Sequence, residues 1–302
     1  MHMKAEHVAL GMRISVAERI RYEMHLSWLF IKGDISATIV PTSLFTIAAW
    51  HSRSIPLYEL VAALGSGLTY FWLYVCIFCV SNQLTGIEED RLNKPYRPLA
   101  RGIVSYEGAL MRWIVLMALF TFVGWWLDLL GWALLWQAAT VLHNFGGWAR
   151  HWIGKHLVMG AGIVAGLAPA WELVTPLTPI AWRWIILLAC TVMLLVAAQD
   201  LRDIAGDRVI GRQTLPIVFG EMQTRASLSF GFVLLPAVIY VGLIAPADST
   251  WAALLCSMVP AAMSLWIAAR IVLYRTRQAD HQTYMLFTYW YCTMMLTAIV
   301  VL

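Results

Sequence analysis

The sequence predicts an all-α polytopic membrane protein, a bundle of about nine transmembrane helices. Three observations carry this. Of 302 residues, 61% are hydrophobic and only 13% are charged, with a mean hydropathy of +0.70, against roughly 25% charged residues in soluble domains. Apolar runs of about 20 residues, the length that crosses a bilayer, recur at 26–50, 58–81, 107–126, 128–144, 155–174, 180–199, 223–245, 250–270 and 283–302. Between these runs, two short stretches, 82–102 and 199–216, mix acids and bases closely.

Residues 1–23 are polar and basic, with no apolar run leading to a small-residue cleavage site, so they are expected to form a cytosolic amino-terminal segment of a single domain spanning 1–302. With nine spans alternating from there, positive charge should crowd the links after even-numbered spans. Those links hold Arg91, Lys94, Arg97, Arg101, Arg150, Arg202, Arg208, Arg212, Arg275 and Arg277, whereas the other side offers chiefly Arg53 and Arg183. Both charged stretches then face the cytosol. The net charge of +4 follows from this orientation and from an anion site, so nucleic acid is not expected as a partner and the lipid bilayer is.

The first span carries Lys32 and Asp34. An ionisable group at membrane depth costs at least ~2.5–3.5 kcal/mol unless it is paired or faces a wet cavity, so the pair either lines a cavity or, for Lys32, snorkels to the interface. The second span runs without a breaker into NQLTGIEEDRLNKPYRPLARG, and the helix is expected to continue to about Asn93, where Pro95 stops it. Asn82, Gly86, Glu89 and Asn93 then share one face, with Asp90 at its edge, while Glu88 points away. The third and fourth spans read as structural, with Trp125 and Trp126 placed for an interfacial aromatic belt. Beyond the fourth, HNFGGWARHWIGKH sets His151 and Lys155 four residues apart on one helix face. Lys155 suits a phosphate contact, and His143 and His151 read equally well as interface histidines.

The fifth span contains Gly162 and Gly166 at GxxxG spacing, which permits close packing. The sixth delivers Asp200, Asp203 and Asp207, whose spacings of three and four line them along one helix face. The seventh and eighth contain almost no ionisable groups and read as scaffold. The ninth begins with His281, Gln282 and Tyr284, the last assigned to the interfacial belt. Its deeper Tyr289, Trp290 and Tyr291 either line an internal cavity or pack in the bundle. All five cysteines, Cys76, Cys79, Cys190, Cys256 and Cys292, lie within predicted spans, so disulfides are not expected. The Cys76/Cys79 pair lacks the second pair a zinc site needs.

Acids and bases concentrated in so apolar a chain imply a highly charged polar ligand. Glu88, Glu89 and Asp90 beside Arg91, Lys94, Arg97 and Arg101, answered by a second acid cluster, suit divalent cations that in turn hold a phosphate group.

At this point the chain resembles the UbiA-type intramembrane prenyltransferase superfamily, whose first motif is NDxxDxxxD with a basic NKPxRP-like tail and whose second is DxxDxxxD followed by GxxTLP. The second is intact as Asp200, Asp203, Asp207, Gly211, Thr214, Leu215 and Pro216, and the tail of the first as Asn93 to Pro98. The resemblance implies helices around a central cavity open to the membrane and an isoprenoid diphosphate bound through Mg²⁺. Gln83 and Gly86 stand where the family has Asp, which leaves Asn82, Glu89 and Asp90 as the first-cluster ligands. The NQxxGxxED form, with HNFGGWARHW, looks like the membrane-bound terpene cyclase branch.

The expected metal ligands and catalytic residues are therefore Asn82, Glu89, Asp90, Asp200, Asp203 and Asp207. Lys94, Arg97, Lys155, Arg202 and Arg212 are expected to neutralise the diphosphate, and Lys32, Asp34, His151 and Tyr289 are candidates to line the cavity. Ionisation of the allylic carbon–oxygen bond leaves a carbocation, which a cyclase closes on its own double bonds and a prenyltransferase hands to an aromatic or other acceptor. A transporter and an inactive homologue are the readings from other classes. Acids at helix ends rather than near the bilayer midplane speak against a transporter, and the complete second cluster speaks against inactivity.

Overall fold

A computed structural model describes residues 15–53, 55–246 and 251–302. Of the expected amino-terminal segment, residues 1–14 lie outside the described residues. Ser15 then caps a helix at once: its hydroxyl accepts from the Glu18 amide and the Glu18 carboxylate accepts from the Ser15 amide, a capping box. Helix α1 (Val16–Ile31) follows, so residues 16–23 belong to a helix that enters the predicted first span.

That span is not continuous, contrary to expectation. α1 ends at Ile31, a single 3-10 turn covers Ile35–Ala37, and α2 (Ile39–His51) resumes. The break falls on Lys32, Gly33 and Asp34, and the Asp34 carbonyl accepts both the Ala37 amide at 3.2 Å and the Thr38 hydroxyl at 2.6 Å. The second span is a 29-residue helix, α3 (Leu57–Thr85), and it too stops earlier than expected. Gly86 separates it from the short α4 (Ile87–Asn93), since glycine holds the helical conformation weakly.

Then come α5 (Tyr106–Trp126), α6 (Leu130–Asn144), α7 (Trp152–Glu172) and α8 (Pro179–Leu195). A 3-10 turn at Val196–Ala198 leads into α9 (Asp200–Val209), then α10 (Leu215–Val218), α11 (Glu221–Ile239), α12 (Trp251–Leu273) and α13 (Arg277–Val301). Among the described residues seven helices are long and apolar enough to cross a membrane: α3, α5, α7, the α8 segment to Ala198, the α11 segment to Ile244, α12 and α13. The other two predicted spans are the broken α1–α2 and the 15-residue α6.

The helices close a ring. α2 packs on α3, α7 and α13; α3 on α5 and α6; α6 on α7, α7 on α8, α8 on α11, α11 on α12, and α12 on α13. Trp171, Trp184, Trp290, Phe45, Tyr70 and Phe120 are fully buried between them. Gly162 permits a close approach of the kind expected, but to an aromatic ring: a Cβ there would lie 2.8 Å from Trp136, and the Tyr74 hydroxyl donates to the Gly162 carbonyl at 2.8 Å. Trp125 and Trp126 are exposed at the end of α5.

α11 departs from plain scaffold. Its Arg225 is 1% exposed and forms a two-armed ion pair with Asp280 of α13, both arms at 2.8 Å. Arg225 also donates to the Ile271 carbonyl of α12 at 2.9 Å.

Candidate active site

The two charged stretches meet at one end of the ring. α4 packs against α9, and Gly206 permits it: a Cβ on Gly206 would lie 2.1 Å from the Asn93 side chain. Arg277, opening α13, holds the same asparagine through its carbonyl at 2.9 Å. Gly206→Val is therefore expected to push the Asn93 side chain aside and away from Arg277, which it meets at 3.3 Å, with an overpacking cost of about 1–3 kcal/mol and reduced activity. Thermal unfolding and turnover measured together check this, and an active, unshifted variant would contradict it.

Basic side chains from four parts of the chain interleave with the acids. Arg97 donates to both Asp90 oxygens, at 2.9 and 3.0 Å, and to the Asn82 side-chain carbonyl at 3.0 Å. Lys94 stands 3.8 Å from Glu89 and 3.6 Å from Asp203, bridging the two clusters. Arg212 bridges them again, 2.7 Å from Glu89 and 3.2 Å from Asp207. Lys155 pairs with Asp200, and Arg202 with Asp203 at 3.4 Å. The turn carrying Arg212 is held in place by Gly211, at φ 70°, and by backbone pairing with the start of α7. There the Gln213 amide donates to the Arg150 carbonyl at 2.7 Å, and the Trp152 amide donates to the Gln213 carbonyl at 3.0 Å.

Asn82, Glu89, Lys94, Arg97, Lys155, Asp203 and Arg212 line a polar pocket, joined by His143 of α6 and by Asp34. Asp90, Asp200 and Asp207 stand behind it, reached through Arg97, Lys155 and Arg212. Burial raises the pKa of Asp90 despite Arg97 and Lys94, and pushes Asp207 up to about 6 against the pull of Lys155 and Arg212. Burial also opposes the charge on Asp203, but Lys94, Arg202 and Lys155 outweigh it and hold that carboxyl below its ordinary value. Lys94 is lowered by burial and by neighbouring Arg97.

Among the described residues no three acid, histidine or cysteine side chains converge into a preassembled metal centre. The donor set nevertheless fits Mg²⁺, which prefers oxygen ligands. One carboxylate oxygen each of Asp200 and Asp207 is buried without a hydrogen-bond partner, and a buried polar atom left so calls for an explanation such as an ion or water.

The polar pocket opens into an apolar chamber. Asp34, Phe78, Cys79, Met159 and Gln199 line both, and Tyr74, Trp136, Tyr284, Phe287 and Tyr291 wall the chamber beyond them. Tyr74 and Trp136 stack with centroids 4.4 Å apart, and Phe78 stacks on Trp136 at 5.2 Å. The Arg202 guanidinium lies 4.6 Å above the Tyr284 ring.

Four expectations need correction. Lys32 is exposed outside the chamber, its long side chain free to leave apolar surroundings once the helix breaks beside it. Tyr289 is 48% exposed, because the inner face of α13 runs through 284, 287, 288 and 291. His151 is exposed as well. It caps α7, its ring nitrogen accepting from the Ile153 amide at 3.3 Å, and lines neither space. Tyr284 belongs to the chamber instead of an interfacial belt. The chamber wall on α3 is legible in the sequence: Tyr74, Phe78 and Asn82 are spaced by four and share one face. Trp136 and His143, on the supposedly structural fourth span, carry no comparable signal.

Comparison with known proteins gives the family of the chain. The chain is 47% identical over 279 residues to the somaliensene A/B synthase of Streptomyces somaliensis, covering 92% of this chain and 93% of that one. It is 34% identical to the diterpene cyclase eriG of Hericium erinaceus (92% and 89% covered) and 31% identical to the polyprenyl transferase eriF of the same fungus (92% and 94%). Its fold matches a solved UbiA homolog from Archaeoglobus fulgidus bound to GPP and Mg²⁺, with a TM-score of 0.62 at 14% identity over 91% of this chain and 100% of that one. Residues 39–291 match the family profile, and the chain belongs to the UbiA prenyltransferase family.

Proposed function

We propose that the protein is a Mg²⁺-dependent terpene cyclase that ionises farnesyl or geranylgeranyl diphosphate and closes the resulting cation on its own double bonds. The observation that carries this reading is the continuity of the charged pocket with an aromatic-walled chamber. The names of the synthase and cyclase relatives support it, as does the Mg²⁺ and GPP bound by the A. fulgidus protein.

Asn82, Glu89, Asp90, Asp200, Asp203 and Asp207 are the proposed holders of Mg²⁺, which when bound supplies Lewis-acid neutralisation of the diphosphate. Lys94, Arg97, Lys155, Arg202 and Arg212 contribute further positive charge where the leaving group accumulates negative charge. For that, the present ion pairs must loosen as substrate enters, freeing acids for cations and bases for phosphate. The chamber then excludes water and presents π faces to the carbocation, each worth ~0.5–2 kcal/mol. The charged end of the ring faces the cytosol in this proposal, as the Lys and Arg bias requires.

The eriF relative favours a second reading, transfer of the prenyl group to an acceptor. The test is to supply the lipid-reconstituted protein with either diphosphate and Mg²⁺, without acceptor. A cyclic hydrocarbon detected by gas chromatography with mass detection, abolished by EDTA, is expected. Silence followed by a prenylated product once phenolic or quinone precursors are added would overturn cyclisation.

A further inference from the structure

We propose that Asp34 is the general base that ends the reaction by removing a proton from the carbocation; this rests on the cyclase reading. Asp34 occupies the break between α1 and α2, at the junction of the two spaces, and lines both. The sequence explains how it gets there. The 3-10 turn that starts behind it, with the Thr38 hydroxyl on its carbonyl at 2.6 Å, holds it at the threshold.

Its surroundings differ from those of every other acid in the site. Glu89, Asp90, Asp200, Asp203 and Asp207 each have a Lys or Arg within ion-pair distance. Asp34 has none among the described residues, and one of its oxygens accepts the Cys79 thiol at 3.4 Å. A thiol is a weak donor, so no strong partner occupies the Asp34 carboxylate. The other five acids are held by cations and none of them lines the apolar chamber, where Asp34 stands.

The step balances as follows. A C–H bond next to the cationic carbon breaks, its electron pair forms the C=C bond of the product, and the proton goes to an Asp34 oxygen. From there it passes through the polar pocket to the departing diphosphate. The net change is allylic diphosphate to olefin plus protonated diphosphate, and Asp34 is restored.

The experiment compares wild type, Asp34→Asn and Asp34→Glu in lipid with geranylgeranyl diphosphate and Mg²⁺, reading diphosphate release and product identity separately. In Asp34→Asn the native olefin is expected to fall by about 10²-fold or more, within the range general bases contribute. Diphosphate release should persist at a slower rate, with the cation quenched by water to an alcohol or diverted to another olefin. Asp34→Glu should recover native olefin, and it carries the test if the Asn variant does not fold. An unchanged product profile in Asp34→Asn overturns the proposal, and so does a parallel loss of olefin and diphosphate release, which would place Asp34 in ionisation. A wild type that forms no olefin without acceptor instead overturns the cyclase reading itself.

Discussion

Asp203→Ala is expected to reduce diphosphate release by on the order of 10³-fold or more, the loss that several kcal/mol of charge stabilisation at the leaving group represents. Asp203 belongs to the intact second motif, lines the polar pocket and lies near Lys94 and Arg202. Its removal does not strand a buried charge, because Lys94 keeps Glu89 at 3.8 Å and Arg202 keeps the Tyr284 face. The variant should therefore fold, and its loss should be one of catalysis. Asp90→Ala should lose activity to a like degree but also cost about 3–5 kcal/mol of stability, since it leaves the buried Arg97 with the neutral Asn82 carbonyl at 3.0 Å in place of a carboxylate. Glu88→Ala supplies the contrast: its side chain is 75% exposed and pairs only with the exposed Arg91, so activity should stay within about two-fold, as for surface substitutions generally. Diphosphate release across a Mg²⁺ titration, with thermal unfolding alongside, checks all three. Wild-type activity in Asp203→Ala would refute the metal assignment.

The residue pattern made the class of fold legible because bilayer-length apolar runs are a strong physical constraint. The helical-wheel placement of Glu89 inward and Glu88 outward agrees with their exposures, since the local helix persists even though Gly86 interrupts the longer one. What the sequence concealed depends on tertiary choice. Lys32 and Asp34 are two residues apart, and only the position of the break decides that one leaves and the other enters. Tyr284 and Tyr289 are equally aromatic on one helix, and only the rotation of α13 against α2 and α12 separates them. Trp136 reaches the chamber because Gly162 makes room for its ring, a pairing between distant residues that single-sequence periodicity does not encode.

The same limit hid the pair formed by Arg225 and Asp280, 55 residues apart. Asp280→Ala is expected to destabilise the protein by about 3 kcal/mol, the low end of the cost of breaking a buried ion pair, because Arg225 keeps the half-exposed Glu221 at 2.9 Å. Both side chains are at most 3% exposed, and both guanidinium arms are engaged. Asp280 also sits in the first turn of α13, where a negative charge is favoured by the exposed amides of the helix start. Through the Ile271 carbonyl, the pair joins the end of α12, whose last carbonyls lack helical partners, to the starts of α11 and α13. Loss of the pair should therefore loosen three helix ends together and carry to the active site, because Arg277 in the same turn of α13 holds Asn93. Arg225→Ala should cost more, about 3–5 kcal/mol, since the buried Asp280 has no second cation within ion-pair distance among the described residues. An apolar double replacement, Arg225→Met with Asp280→Leu, should be less destabilising than the two single losses added, since neither charge is then stranded. A double-mutant cycle on thermal unfolding in detergent measures this, and full stability in Asp280→Ala would show that the pair does not hold the helix ends.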